Sequence, residues 1–243
     1  MHLFLYPDYE KLSREAADMV AETVRENPSA LICFPSGDSP KGMLSMLVDD
    51  AKAGRIDFSR CRFVSLDEWL GMDGSDEGSC RHFVDEYFFH PLGIPQQNIH
   101  FFDGKAEDPE FECRKMTAWL NEKGPIDIAV VGLGLNGHIG LNEPGTSFDS
   151  DCHTSELEEG TKTSAQKYFS SETELKGGIT LGFNQLFEAQ KIILMVSGIK
   201  KAAILAKALE GSVNTGVPAS IVQQIDRTYV LVDREAATHL SLG

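Results

Sequence analysis

Cysteine is scarce in this chain of 243 residues, with only Cys33, Cys61, Cys80, Cys113 and Cys152. They are odd in number and widely spread, with no C-x-x-C pair. That sets aside a disulfide framework or a zinc site and fits free thiols in a reducing compartment. No apolar run approaches the ~18 residues of a membrane span. Met1-His2-Leu3-Phe4-Leu5-Tyr6 lacks the basic region and long apolar core of a signal peptide. It is expected to open the fold as a strand, and the protein to be cytoplasmic. Positive charge is also short: 22 Lys and Arg stand against 37 Asp and Glu, a net charge of −15, and no basic cluster offsets it. Such a surface repels phosphate backbones and acidic lipid, so neither nucleic acid nor a membrane is expected as partner. Repeats, low-complexity tracts and Pro/Gly/Ser linkers are missing, so residues 1–243 are expected to form a single domain.

What is present is a regular alternation of short β-like runs and amphipathic helical stretches. Hydrophobic residues make up 42 %, enough for a substantial core. A helix is predicted over 8–27, with Leu12, Ala16, Met19, Val20 and Val24 on one face. Strands are predicted at 30–34, 62–66, 126–131, 192–196 and 228–232. Helices are predicted from Pro40, over 79–89, over about 108–122 and over 200–209. Strands alternating with helices give an α/β fold, a doubly wound and mainly parallel sheet with helices on both faces. The stretch from 145 to 178 is polar and weakly periodic, and a loop-rich lid is expected over about 146–178.

Ligands of such open sheets bind beyond the carboxyl ends of the strands. Three chemically loaded segments directly follow predicted strands, so they are expected to share one edge. The first is Pro35-Ser36-Gly37-Asp38-Ser39-Pro40. Ser39 is the expected N-cap with Pro40 at the first helical position, and the open amides make an anion cradle. It is not a Walker A loop, whose spacing is absent. Asp38 fits a phosphate cradle only if it points outward. A second cation source is Gly198-Ile199-Lys200-Lys201, again after a strand, where one lysine reaches the anion and the other faces solvent.

The second segment is the strand end Asp67-Glu68, where one acid enters the site while the other braces the loop. The third is Gly132-Leu133-Gly134-Leu135-Asn136-Gly137-His138-Ile139-Gly140-Leu141-Asn142-Glu143-Pro144-Gly145. Glycines at this density imply tight turns and close backbone approach. A dinucleotide fingerprint is rejected, because Pro144 and Gly145 prevent the long helix it requires. His138 has Asn136, Asn142 and Glu143 within five residues, neighbours able to fix its tautomer and tune it for proton transfer.

Leu66-Asp67-Glu68-Trp69 together with Gly134 to Gly145 resembles the glucosamine-6-phosphate deaminase/isomerase family, and the resemblance spans nearly the whole chain. Ser36 to Pro40, Ser197-Gly198-Ile199-Lys200-Lys201-Ala202 and Val217-Pro218-Ala219-Ser220 match its further segments. Trp69, Cys152-His153-Thr154-Ser155-Glu156-Leu157 and Gly178-Ile179-Thr180-Leu181-Gly182 resemble the galactosamine-6-phosphate branch.

The resemblance implies that Asp67 moves a proton from C2 to C1 of an open-chain amino sugar. His138 would open the pyranose ring, oriented by Glu143. Asn136 stands where some members have Asp, so a neutral hydrogen bond replaces a charged relay. The amides of Ser36, Gly37, Asp38 and Ser39, with Lys201 and Lys167, would bind the phosphate. Lys167 stands where many members have Arg and loses the bidentate fork. Glu68, Gly134 and Gly137 are placed at the sugar, and Trp69 and His153 are candidates for reading C4. The imine formed at C2 hydrolyses to a ketohexose phosphate and ammonia, so no cofactor or metal is required. Asp149, Asp151 and Glu156 crowd the region where regulated members bind an effector, so a monomer or small homo-oligomer without allostery is expected. The alternatives are a lactonase acting on a sugar-acid phosphate, which the N-E-P-G segment opposes, and a non-catalytic sugar-phosphate sensor.

Overall fold

The computed structural model describes residues 1–241. Strand β1 (His2–Tyr6) leads into helix α1 (Tyr9–Glu26), which starts where the Asp8 carboxylate accepts the Lys11 amide at 2.8 Å. Strand β2 (Leu31–Phe34), helix α2 (Asp38–Lys52) and strand β3 (Arg62–Ser65) follow. The chain then leaves the main sheet for strand β4 (Asp67–Trp69). Helix α3 (Cys80–Val84) continues through a π-turn, Asp85–Phe89, into α4 (His90–Leu92). Next come β5 (Ile99–His100), α5 (Pro109–Lys123), β6 (Ile128–Gly132), β7 (His153–Ser155), α6 (Glu159–Ala165) and β8 (Gly178–Thr180). Helix α7 (Phe183–Glu188), β9 (Ile192–Val196), α8 (Ala202–Glu210) and β10 (Thr228–Asp233) complete the order.

Seven strands form a parallel sheet in the order β1-β10-β9-β6-β2-β3-β5. Alternate residues of its strands enter two separate cores. Ile32, Phe34, Ile128, Val130, Ile193 and Met195 join α1 and α2 in one. Cys33, Ala129, Val131, Leu194 and Val196 join α5 and α8 in the other. Period-2 side chains buried on both faces are what the continuous apolar strand sequences encode. The doubly wound α/β expectation therefore holds.

Strands β4, β8 and β7 form a second sheet that is antiparallel, with Asp67 opposite Thr180 and Thr180 opposite His153. It anchors the segment expected as a loop-rich lid. That segment is more ordered than its polarity implies: it holds β7 and α6. Its Leu157, Ala165 and Leu175 pack with Trp69, Cys80 and Leu141 in a third small core. Leu157, Ala165 and Leu175 are too far apart in sequence to show a period, yet each is buried.

Candidate active site

The site forms where the strand order reverses. From β2 the chain proceeds outward to β3 and β5, then returns to β6 on the other side of β2. The connections leaving β2 and β6 thus diverge, opening a crevice at their carboxyl ends. Strands β9, β6, β2 and β3 are consecutive neighbours, so Lys201, the glycine-rich loop, Ser36 to Ser39 and Asp67 come together at one edge. All the loaded segments meet as expected.

The loop after β2 starts its helix earlier than its sequence implies. Gly37, not Ser39, is the N-cap, and Pro40 is third in the helix rather than first. Gly37 has φ of 99°, a conformation that favours glycine and turns the chain into the helix two residues sooner. A Cβ there would also lie 2.9 Å from the Tyr168 hydroxyl oxygen. Pro40 remains in the first turn, where its missing N–H leaves no intrahelical bond unmade. The Tyr9 hydroxyl donates to the Asp38 carbonyl at 2.8 Å and accepts the Gly42 amide at 2.8 Å, tying α1 to this turn.

Two lysines face the cradle. Lys201 is half-buried and donates to the Leu133 carbonyl at 2.5 Å, while Lys200 is exposed. Burial, then the nearby Lys167 charge, pushes the Lys201 ammonium down to about 8. Asp38 points outward and pairs with Lys167. The Tyr168 hydroxyl accepts the Asp38 amide at 3.3 Å, so the segment after α6 rests on the phosphate loop. An anion bound here would meet two cations and the helix N-terminus.

Asp67 is buried, and desolvation pushes its carboxyl up to about 6 against the pull of a Cys80 thiol hydrogen bond and the His138 charge. Glu68 has no exposed surface. Its oxygens accept the amides of Trp69 at 2.8 Å, Cys80 at 2.9 Å and Arg81 at 2.8 Å. Burial pushes it up to about 7 against those three donors. It therefore braces the strand end through the backbone of Trp69, Cys80 and Arg81.

The His138 Nδ1 lies 3.0 Å from Glu143 Oε1, and the buried Thr161 hydroxyl donates to the same oxygen at 2.7 Å. The Asn136 side-chain amide donates to Glu143 Oε2 at 2.6 Å and to Glu158 Oε2 at 2.8 Å. Its carbonyl accepts the His138 amide at 3.2 Å. Burial opposes ionisation of Glu143, but His138, Thr161 and Asn136 outweigh it and hold the carboxyl below its usual range. A carboxylate on Nδ1 leaves Nε2 free to exchange a proton with a substrate.

Gly134 and Gly137 shape this loop. Their amides are taken by the carbonyls of His138 (2.9 Å) and Gly134 (3.1 Å). A Cβ on Gly134 would sit 2.2 Å from the His138 ring, so glycine is what lets the ring lie there. Trp69 donates its indole N–H to the Gly78 carbonyl at 3.2 Å, leaving no donor for a C4 hydroxyl. His153 sits on β7 with Nδ1 at 2.8 Å from the Asp151 carbonyl. A cavity of about 500 Å³ beside the phosphate loop is lined by Ser36, Gly37, Trp69, His82, Tyr87 and Tyr168, among others. Its lining stops short of Asp67 and His138. Among the described residues no group of three His, Cys, Asp or Glu side chains converges as a metal site.

Sequence reasoning missed Glu158, Thr161, Tyr168 and Cys80. Glu158 and Thr161 lie 22 and 18 residues from the groups they touch, Asn136 and Glu143, and Tyr168 lies 130 from Asp38. A polar segment without periodicity gives no sign of such contacts.

A buried carboxylate, a carboxylate-bound histidine and a two-lysine anion cradle on an open parallel sheet define a class of phosphorylated-substrate α/β proteins. Residues 8–231 match the family model for glucosamine-6-phosphate isomerases/6-phosphogluconolactonase, and the chain belongs to this family. A glucosamine-6-phosphate deaminase of Clostridium botulinum (strain Loch Maree / Type A3) is 35 % identical over 243 residues, all of both chains. That of Thermoanaerobacter sp. (strain X514) is 34 % identical over 239 residues, 98 % of this chain and 94 % of the relative. Among solved structures, a monomeric glucosamine-6-phosphate deaminase superposes with a TM-score of 0.95 at 34 % identity, covering 98 % of this chain and all of that one. The 6-phosphogluconolactonase from Trypanosoma brucei, at 17 % identity and a TM-score of 0.79 over 99 % of this chain and 98 % of its own, shares the fold.

Proposed function

We propose that this protein deaminates and isomerises an amino-sugar 6-phosphate, with glucosamine 6-phosphate the preferred substrate, giving a ketohexose 6-phosphate and ammonia. The observation that carries the reading is the buried Asp67 near the His138–Glu143 pair, at the edge that also holds Lys201 and the α2 N-terminus. His138 passes a proton from the anomeric hydroxyl to the ring oxygen, breaking the C1–O5 bond. Asp67 takes the proton from C2 and returns it to C1, while O1 gains a proton and the amino group loses one, which turns the amino aldehyde into a 1-hydroxy-2-imine. Water adds to that imine and ammonia leaves. One carboxylate must serve both adjacent carbons, and burial raises its basicity for that work. The chemistry draws on side chains alone.

The sequence features resembling the galactosamine branch are weaker support than the curated relatives, which are named for glucosamine 6-phosphate. The indole of Trp69 offers a ring face and no hydrogen bond to C4. The likeness to a monomeric deaminase supports a monomer or small homo-oligomer without allostery, and the contacts of Lys167 and Tyr168 with the phosphate loop support the segment over 146–178 acting as a lid. The test is ammonia release from glucosamine 6-phosphate and galactosamine 6-phosphate side by side with EDTA present. Faster release from the gluco epimer supports the reading, faster release from the galacto epimer reassigns the substrate, and release from neither overturns it.

A further inference from the structure

We propose that Glu158 and Thr161, at the start of α6, are positioning residues for the His138–Glu143 pair, and that Asn136 and Glu158 form a charge-matched couple. The proposal rests on the reading above, in which His138 opens the sugar ring. The side-chain amide of Asn136 has two hydrogens, and each is used on a different carboxylate, Glu143 Oε2 at 2.6 Å and Glu158 Oε2 at 2.8 Å. A carboxylate can only accept hydrogen bonds. An aspartate at position 136 would therefore oppose two like charges at contact distance and push α6 away from the pair. With Asn, the amide holds the carboxylates together and fixes which oxygen of Glu143 faces the ring.

Thr161 completes the arrangement. It is buried, donates to Glu143 Oε1 at 2.7 Å and lies 3.4 Å from His138 Nδ1. Glu143 thereby has both oxygens held, one by the ring and a hydroxyl, the other by an amide. The hydroxyl comes from α6 and the amide is steadied by Glu158 at its start, so docking of α6 controls the orientation of His138. The titratable groups facing His138 are Glu143 on its own loop, Glu158 across Asn136 from α6, and Asp67 from β4.

The experiment is a double-mutant cycle on the full chain with Asn136→Asp, Glu158→Gln and the double variant, beside Thr161→Val and Thr161→Ser. Ammonia release by the unmodified chain is measured first, so that failure of the functional reading is recognised separately. Asn136→Asp is expected to lower kcat by about 10²-fold, with a much smaller change in KM. The double variant is expected to recover at least about tenfold of that loss, because the amide introduced at position 158 can donate to the carboxylate introduced at position 136. Thr161→Val is expected to lower kcat with little change in KM, and Thr161→Ser to restore it. Melting temperatures give the same cycle without turnover: lowered in Asn136→Asp, recovered in the double variant. Additive effects in both rate and melting temperature, or full turnover by Asn136→Asp, overturn the proposal.

Discussion

As the proposed base, Asp67 carries two opposing demands: it must be charged, at a position that makes charge costly. Its carboxyl is raised to about 6 by burial, above the ordinary 3.8. The stability linked to its protonated form is present below pH ~4 and lost as pH rises through about 6. At pH ~7.5 the ionised side chain therefore costs on the order of 2–3 kcal/mol. Asp67→Asn is expected to melt higher than the parent at that pH while turning over ~10²–10⁴-fold more slowly. Thermal melts and initial rates on the same sample check both halves. The parent kcat/KM is expected to fall as pH drops below about 6, and that limb is expected to vanish in the variant. Lys201 behaves in the opposite sense, with its ammonium lowered to about 8. KM for the phosphorylated substrate is expected to climb above pH ~8, as the lysine loses its proton. Lys201→Ala is expected to raise KM by ~10–100-fold with kcat changed far less; an unchanged KM would remove Lys201 from the phosphate site.

At the scale of elements, the turn at Gly37 and the start of α6 decide the geometry. Gly37→Ala would force a side chain into φ of 99° and against the Tyr168 hydroxyl. Backbone strain of this kind costs ~1–3 kcal/mol. The variant is expected to melt lower and to bind inorganic phosphate more weakly, measured by calorimetry. The long elements were legible in sequence because burial on both faces leaves an apolar run, as in Ile128 to Val131 and Ile192 to Val196. The opening strand was legible too. Strands β5, β7 and β8 were not: each has two or three residues, too few to display a period. Asp67 looked like the end of a strand and instead begins another, because its partner Thr180 is remote in sequence. Asp67, His138, Glu143 and Lys201 could be picked out by their position after strands, whereas Lys167 came only from the family resemblance. The backbone contacts of Glu68, Gly134 and Gly137 could not be picked out, since they form only in the fold.

The whole molecule places four strand ends side by side so that one crevice receives a cation pair, a helix N-terminus, a buried carboxyl group and a carboxylate-bound histidine. Net charge of −15 surrounds this basic spot, so the proposed anionic substrate would be held by a few focused groups against the general field. The same arrangement explains why lactonase-like structures share the fold while diverging in sequence: the sheet fixes where loops meet, and the loops fix the chemistry.

The most direct measurement is the stoichiometry of ammonia and ketohexose 6-phosphate formed from glucosamine 6-phosphate by the parent chain and by Asp67→Asn. Equal amounts of both products from the parent, and ~10²-fold or greater slowing in the variant, are the predicted result. No ammonia from the folded parent, or undiminished release by Asp67→Asn, would contradict the assignment of Asp67 as the base of an amino-sugar deaminase.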